Sequence, residues 1–197
     1  MARVEDPYHF LNRAVEYYIA GRFASLNNLQ VAPNLFNYAV EMLAKFQLLR
    51  RVPNDRLAVE VDKYKQEPYG HKLHTLWSDF KVSVGGSNLD RFDEVVADLN
   101  RWDKLRYGGF PVGMPTTMVF LVRRGPRKTR SAEPQDKYVL VLEDIDELFT
   151  AMVAASKINP TFLGVRHRLK PALREWYAKD NFHPMPDVFP TDPPPGI

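Results

Sequence analysis

The chain has 197 residues, 45% hydrophobic and 26% charged, the make-up of an ordinary globular domain with a sizeable core. It contains no cysteine, which excludes disulfides, cysteine-based zinc sites and a thiol nucleophile. The formal net charge of +3 is too mild to demand an anionic partner, no apolar run approaches the ~20 residues of a membrane span, and the N-terminal stretch lacks the apolar core of a signal peptide, so the expected location is the cytoplasm.

Asp6-Pro7 is a helix start, with a side-chain acceptor at the cap and a proline where no amide is needed. Phe10, Ala14, Tyr17, Tyr18, Gly21 and Ala24 then recur at helical spacing to about Asn27. Gly21 on that face permits close approach of another helix. A second helix follows Pro33, with Leu35, Ala39, Met42, Leu43, Phe46 and Leu49 as its stripe and Phe36 and Val40 widening it. A stripe this broad is either central in a bundle or faces a partner chain. The helix ends at Arg50-Arg51, where basic residues suit the macrodipole.

Residues 52–70 are ambiguous between helix and strand. Leu73, Leu76, Trp77 and Phe80 mark a short third helix, broken by VGGSN at 84–88. Ser87 and Asp90 resemble a capping box, and Leu89, Phe92, Val95, Val96, Leu99 and Trp102 mark a fourth helix. RYGGFP closes it, with Gly108 suited to the left-handed cap. From about residue 116 the pattern changes. TTMVFLVR and KYVLVLED read as the two strands of a β-hairpin around a long basic loop. Ile145, Leu148, Phe149, Met152 and Val153 mark a fifth helix stopped at Asn159-Pro160, and Leu173, Trp176 and Tyr177 a short sixth. The stretch 184–197 holds six prolines and is expected to lack regular structure. The organisation read from this is a helical unit over 1–115, a β-hairpin with a helical extension packed on it over 116–183, and a proline-rich tail over 184–197.

The order of YYIAGRFA (17–24), NLFNYAVEMLAK (34–45), GHKLHTLWSDF (70–80) and FDEVVADLNRWDKLRYGG (92–109) resembles the HEPN family, small helical-bundle proteins of bacteria and archaea with eukaryotic relatives. The resemblance covers roughly the first 110 residues and implies a mainly α fold: an up-and-down antiparallel four-helix bundle, here with an appended β-hairpin and C-terminal helices. It also implies a homodimer. Many such proteins are ribonucleases, whose fourth helix carries an arginine followed, after four to six residues, by a histidine; others bind nucleotides or proteins. This chain departs from that motif. The positions where histidine should follow Arg101 hold Arg106, Tyr107 and Gly108, and those after Arg91 and Arg106 hold none either. Arginine stays protonated and cannot replace histidine in acid–base catalysis, but it can neutralise phosphate.

The expected function is therefore non-catalytic binding of RNA or a nucleotide by a dimer. The candidate anion-binding residues are Arg101, Lys104, Arg106 and Tyr107, with His71 nearby and a second basic patch at Arg123, Arg124, Arg127, Lys128 and Arg130. The alternatives are a ribonuclease with a rearranged site, drawing its imidazole from His71 or His74, and a protein-interaction module. Against each candidate stands a plainer reading: a solvated helix end, a charged loop, or aromatic residues in the core. His71 and His74 have metal spacing, but no carboxylate completes a compact set, so no metal and no cofactor are expected. The paired acids Asp144/Asp146 and Asp93/Glu94 fall where helix N-termini favour them, and capping accounts for both.

Overall fold

The computed structural model describes residues 6–27, 29–64, 72–85, 88–105, 119–121 and 139–159. Helices make up most of them: α1 (Pro7–Leu26), α2 (Ala32–Leu49), α3 (Asn54–Lys63), α4 (Leu73–Val84), α5 (Asp93–Leu105) and α6 (Leu142–Ala155). The described residues are thus mainly helical. A 3-10 turn at Asp90–Phe92 leads into α5, and two three-residue strands, β1 (Val119–Leu121) and β2 (Val139–Val141), complete the described elements.

The helix boundaries follow from local chemistry. Asp6 accepts from the Tyr8 amide at 2.9 Å with Pro7 at the first helical position, as its sequence foretells. Gly85, at φ 64°, stands at the C-terminus of α4 in the left-handed region glycine favours. α6 ends differently from expectation. Its last turn is closed before Asn159, by Lys157 at φ 51°. The Ile158 amide donates to the Val153 carbonyl and the Lys157 amide to the Ala154 carbonyl. That is a Schellman closure, with Ile158 and Val153 both buried.

α1 and α2 form an antiparallel pair. Tyr8 meets Phe46, Tyr17 meets Tyr38, and Tyr18 meets Phe36, so contacts advance along one helix and retreat along the other. At Gly21 the Phe36 ring of α2 lies against the α1 backbone. A Cβ there would lie 2.8 Å from the Phe36 ring, closer than real contacts allow. The buried face of α1 is Leu11, Ala14, Val15, Tyr18, Gly21, Arg22, Ala24 and Ser25. It is rotated from the expected stripe, and Phe10 and Tyr17 are only partly buried.

α2 is the centre. It packs on α1, α3, α4, α5 and α6, and its buried residues include the polar Asn37, Glu41, Lys45 and Gln47 as well as the apolar stripe. The Asn37 amide donates to the Leu99 carbonyl of α5 at 3.0 Å. Lys45 meets Glu41 at 2.5 Å one turn away. Its broad apolar surface is therefore covered within one chain. Leu73, Leu76, Trp77 and Phe80 of α4, Val95, Val96 and Leu99 of α5, and Ile145, Leu148, Phe149, Met152 and Val153 of α6 join the same core, as their spacing indicated. The ambiguous segment after residue 52 is helical at α3, with Leu57 and Val61 buried.

The strands correct an expectation. Val119, Phe120 and Leu121 stand opposite Val139, Leu140 and Val141 in parallel register, whereas the arms of a hairpin run antiparallel. Parallel partners need a crossover of about a dozen residues or more, and 122–138 is long enough to supply one. Leu142, Glu143 and Asp144, expected in the second strand, open α6 instead. The expected cap at Ser87, the turn at Gly108, the sixth helix, the boundary at 115 and the tail lie outside the described residues.

Substituting Gly21→Ala sets about 1 kcal/mol of helix propensity gained against overpacking that costs about 1–3 kcal/mol. The expected net effect is a loss of up to about 2 kcal/mol in urea unfolding. A Phe36→Leu change in the same chain should recover part of it, giving a favourable coupling in a double-mutant cycle.

Candidate functional site

Sequence reasoning missed a buried polar group that joins two helices. Arg22 of α1 is 2% exposed and Asp146 of α6 is 4% exposed, and their side chains form an ion pair inside the core. The fully buried Tyr18 hydroxyl donates to the same carboxylate and accepts from Arg22 at 3.3 Å. The Tyr18 ring stacks on Phe149, one turn along α6, at 4.4 Å and 12°. Burial opposes the guanidinium charge, but Tyr18 and Asp146 outweigh it and hold the Arg22 pKa above its ordinary value. The group is charged, paired and shut away from solvent. Its chemistry is to fix α6 against α1, not to meet a substrate.

Asp146 is therefore no capping acid, which corrects the reading of the Asp144/Asp146 pair. A signal was present. Arg22 falls in line with Leu11, Ala14, Val15, Tyr18 and Ser25 on α1, and Asp146 with Leu142, Phe149 and Val153 on α6. Opposite charges, each inside an apolar arc of a different helix, mark a buried pair.

A second polar group joins α4 to α5 at the surface. The Trp77 indole donates to Asp93 at 2.6 Å, and Lys81 reaches Asp93 at 2.9 Å and Asp90 at 2.7 Å. Burial works against the Asp93 carboxylate, but the bonds from Trp77 and Lys81 win and hold its pKa below the ordinary range. Bonds to Asp90 and Asp93 hold the Lys81 pKa above its own. The clamp's contribution is complete above ~pH 4 and fades as pH falls through the depressed Asp93 value. At the alkaline end it is complete below the ordinary lysine value and fades as pH rises through the raised one. Asp93 thus does more than cap.

Of the expected anion-binding residues, Arg101 lies on α5 with 63% of its side chain exposed, 3.4 Å from Asp98. Lys104 lies in the last turn of α5. Arg106, Tyr107 and His71 lie outside the described residues, as do Arg123, Arg124, Arg127, Lys128 and Arg130. His74 is exposed on α4, with a ring nitrogen 3.3 Å from the Thr75 hydroxyl. Among the described residues no three histidines or acids converge as a metal site, and no helix is long and apolar enough to cross a membrane.

Comparison of the chain with family models, curated proteins and solved structures finds no match.

Asp146→Ala leaves the Arg22 charge buried without its carboxylate and is expected to cost about 3–5 kcal/mol in urea unfolding. The triple change Tyr18→Phe, Arg22→Met, Asp146→Leu should return stability to within about 1–2 kcal/mol of the original, because apolar isosteres remove the desolvation penalty together with the pair.

Proposed function

We propose that this chain is a HEPN-like protein that binds RNA or a nucleotide without cleaving it, and that it works as a homodimer. In this reading α1, α2, α4 and α5 form an up-and-down antiparallel bundle, with the paired strands and α6 added to it. The observation that carries the reading is Arg101. Its guanidinium stands in solvent near the end of α5, and among the described residues it is held only by a long contact to Asp98. Lys104 follows in the same helix and Arg106 directly after it, so three cations succeed one another within six residues. Guanidinium groups present a fork that matches phosphate oxygens, and their proton is not available for transfer at working pH. The three cations suit a phosphate, and none of them is the histidine that cleavage beside it would use. The breadth of α2, covered within one chain, lends the dimer no support, and the dimer rests on the family resemblance.

One observation favours the ribonuclease as a second reading. In the antiparallel bundle of this reading α4 and α5 run in opposite directions, and Trp77 and Lys81 of α4 both bond Asp93 at the start of α5. His74 and Arg101 accordingly sit towards the same end of that pair.

The test is binding and cleavage of a labelled single-stranded RNA by the full chain at about 50 and 200 mM salt. Three phosphate contacts give a log–log salt slope of about −2, a loss of about twentyfold over that range. Arg106→Ala should lower both affinity and slope without any cleavage in either protein. Binding indifferent to salt, or absent, contradicts the proposal. Cleavage abolished by His74→Ala transfers the conclusion to the second reading.

A further inference from the structure

The opposite end of the α1–α2 pair carries another basic surface. The ring of Tyr8, in the first turn of α1, lies 5.5 Å from that of Phe46 on α2. Arg50, at the C-terminus of α2, sets its guanidinium carbon 5.6 Å from the centroid of the same Phe46 ring. Phe46 is buried and Tyr8 is 54% exposed, so a fixed aromatic floor supports an open aromatic face. Arg51 comes next, exposed. The chain turns at Pro53 into α3, whose first turn carries the exposed Arg56. Three arginines thus gather in residues 50–56 around one corner.

Among the described residues, none of the three has a carboxylate within ion-pair distance. Other surface cations here do find acids: Arg13 meets Glu16, Lys63 meets Glu60, and Lys81 meets Asp90 and Asp93. The corner has two acids of its own. Asp6 is engaged by the Tyr8 amide, and Asp55 lies in the first turn of α3, where the macrodipole favours an acid. Neutralising the end of α2 accounts for one cation, not for three. Burial, and then the charge of Arg51, push the Arg50 guanidinium below its ordinary value, a strain that a bound anion relieves.

We propose that Tyr8, Arg50, Arg51 and Arg56 form a contact for single-stranded nucleic acid, with the arginines on phosphates and a base stacked on Tyr8. Arginine forks suit phosphate oxygens, and an exposed ring beside them adds the sequence-tolerant stacking that single strands offer. A general polyanion or an anionic lipid surface would use the cations and leave the ring idle. The corner shares its ligand class with the function proposed above and none of its residues. The Asn37–Leu99 hydrogen bond sets α5 beside the N-terminal half of α2, and Arg50 lies roughly 20 Å further along that helix at 1.5 Å per residue.

The test is fluorescence anisotropy of a labelled oligouridylate of about 15 nucleotides, a length within the reach of such surfaces. The proteins are the full chain, the double variant Arg51→Ala/Arg56→Ala, Tyr8→Ala, Tyr8→Phe and Arg101→Ala, each checked for an unchanged melting curve. The double variant should bind about fivefold or more weakly, with a salt slope reduced by about 1.4 for two lost contacts. Tyr8→Ala should also lose about fivefold or more, and Tyr8→Phe, which keeps the ring, should bind as the original does. If Tyr8→Ala does not fold, a Tyr8→Phe variant that loses binding while melting normally overturns the stacking. A double variant that binds normally overturns the proposal. So does equal affinity for heparin together with indifference to Tyr8→Ala, which identifies a mere polyanion surface. Loss in Arg101→Ala alone upholds the α5 surface and sinks this one; loss in the corner variants alone does the reverse; no binding at all sinks both.

Discussion

The pairing of Arg22 with Asp146 is the constraint on which the arrangement of the helices depends. Two opposite charges, each nearly sealed from water, are tolerable only in contact and with their remaining hydrogen-bond capacity used. Tyr18 supplies part of that capacity from the same helix as Arg22, and its ring presses on Phe149 from the same helix as Asp146. A slip of α6 by one turn would separate the charges and the rings together.

Around that fixed joint the core is organised by α2. Its polar side chains illustrate how completely it is enclosed. Asn37 satisfies its amide on a backbone carbonyl of α5, and Lys45 and Glu41 neutralise each other one turn apart. Gly21 lets α1 come close enough for Phe36 to lie where a methyl group would stand. Inside, Arg22 pairs with Asp146 and Lys45 with Glu41, while Arg51, Arg56 and Arg101 face solvent with little or no acid against them among the described residues. That contrast between paired interior charge and open surface charge is the physical basis for reading the surface as a place for phosphate.

Much of the helical scaffold was legible in the spacing of apolar residues. The apolar residues expected on α4 and α6, and Val95, Val96 and Leu99 on α5, are buried, because a buried face at 3.6-residue period leaves a direct trace. The direction of the strands was not legible. Three apolar residues specify an extended segment but not which way its neighbour runs, and that depends on the path of the connection. The end of α6 was misplaced because Lys157 occupies a left-handed position that glycine normally marks. The expected face of α1 was rotated from the buried one, which includes Arg22, and Asp146 was assigned to a cap. Both errors have one cause: burial of a charge is decided by a partner 124 residues away, which local pattern does not reveal. For the candidate site, Arg101 is exposed as a ligand-binding cation must be, and the remaining residues expected around it fall outside the described ones.

Native-state hydrogen exchange on the full chain is the measurement that bears most directly on the role given to the buried pair. If Arg22 and Asp146 tie α6 into the core, the slowest amides of α6 should open with the same free energy as those of α1 and α2, in one cooperative unit. Amides of α6 that exchange through a separate, lower-energy opening while α1 and α2 stay protected would mean that α6 is an appendage and that the pair does not hold the fold together.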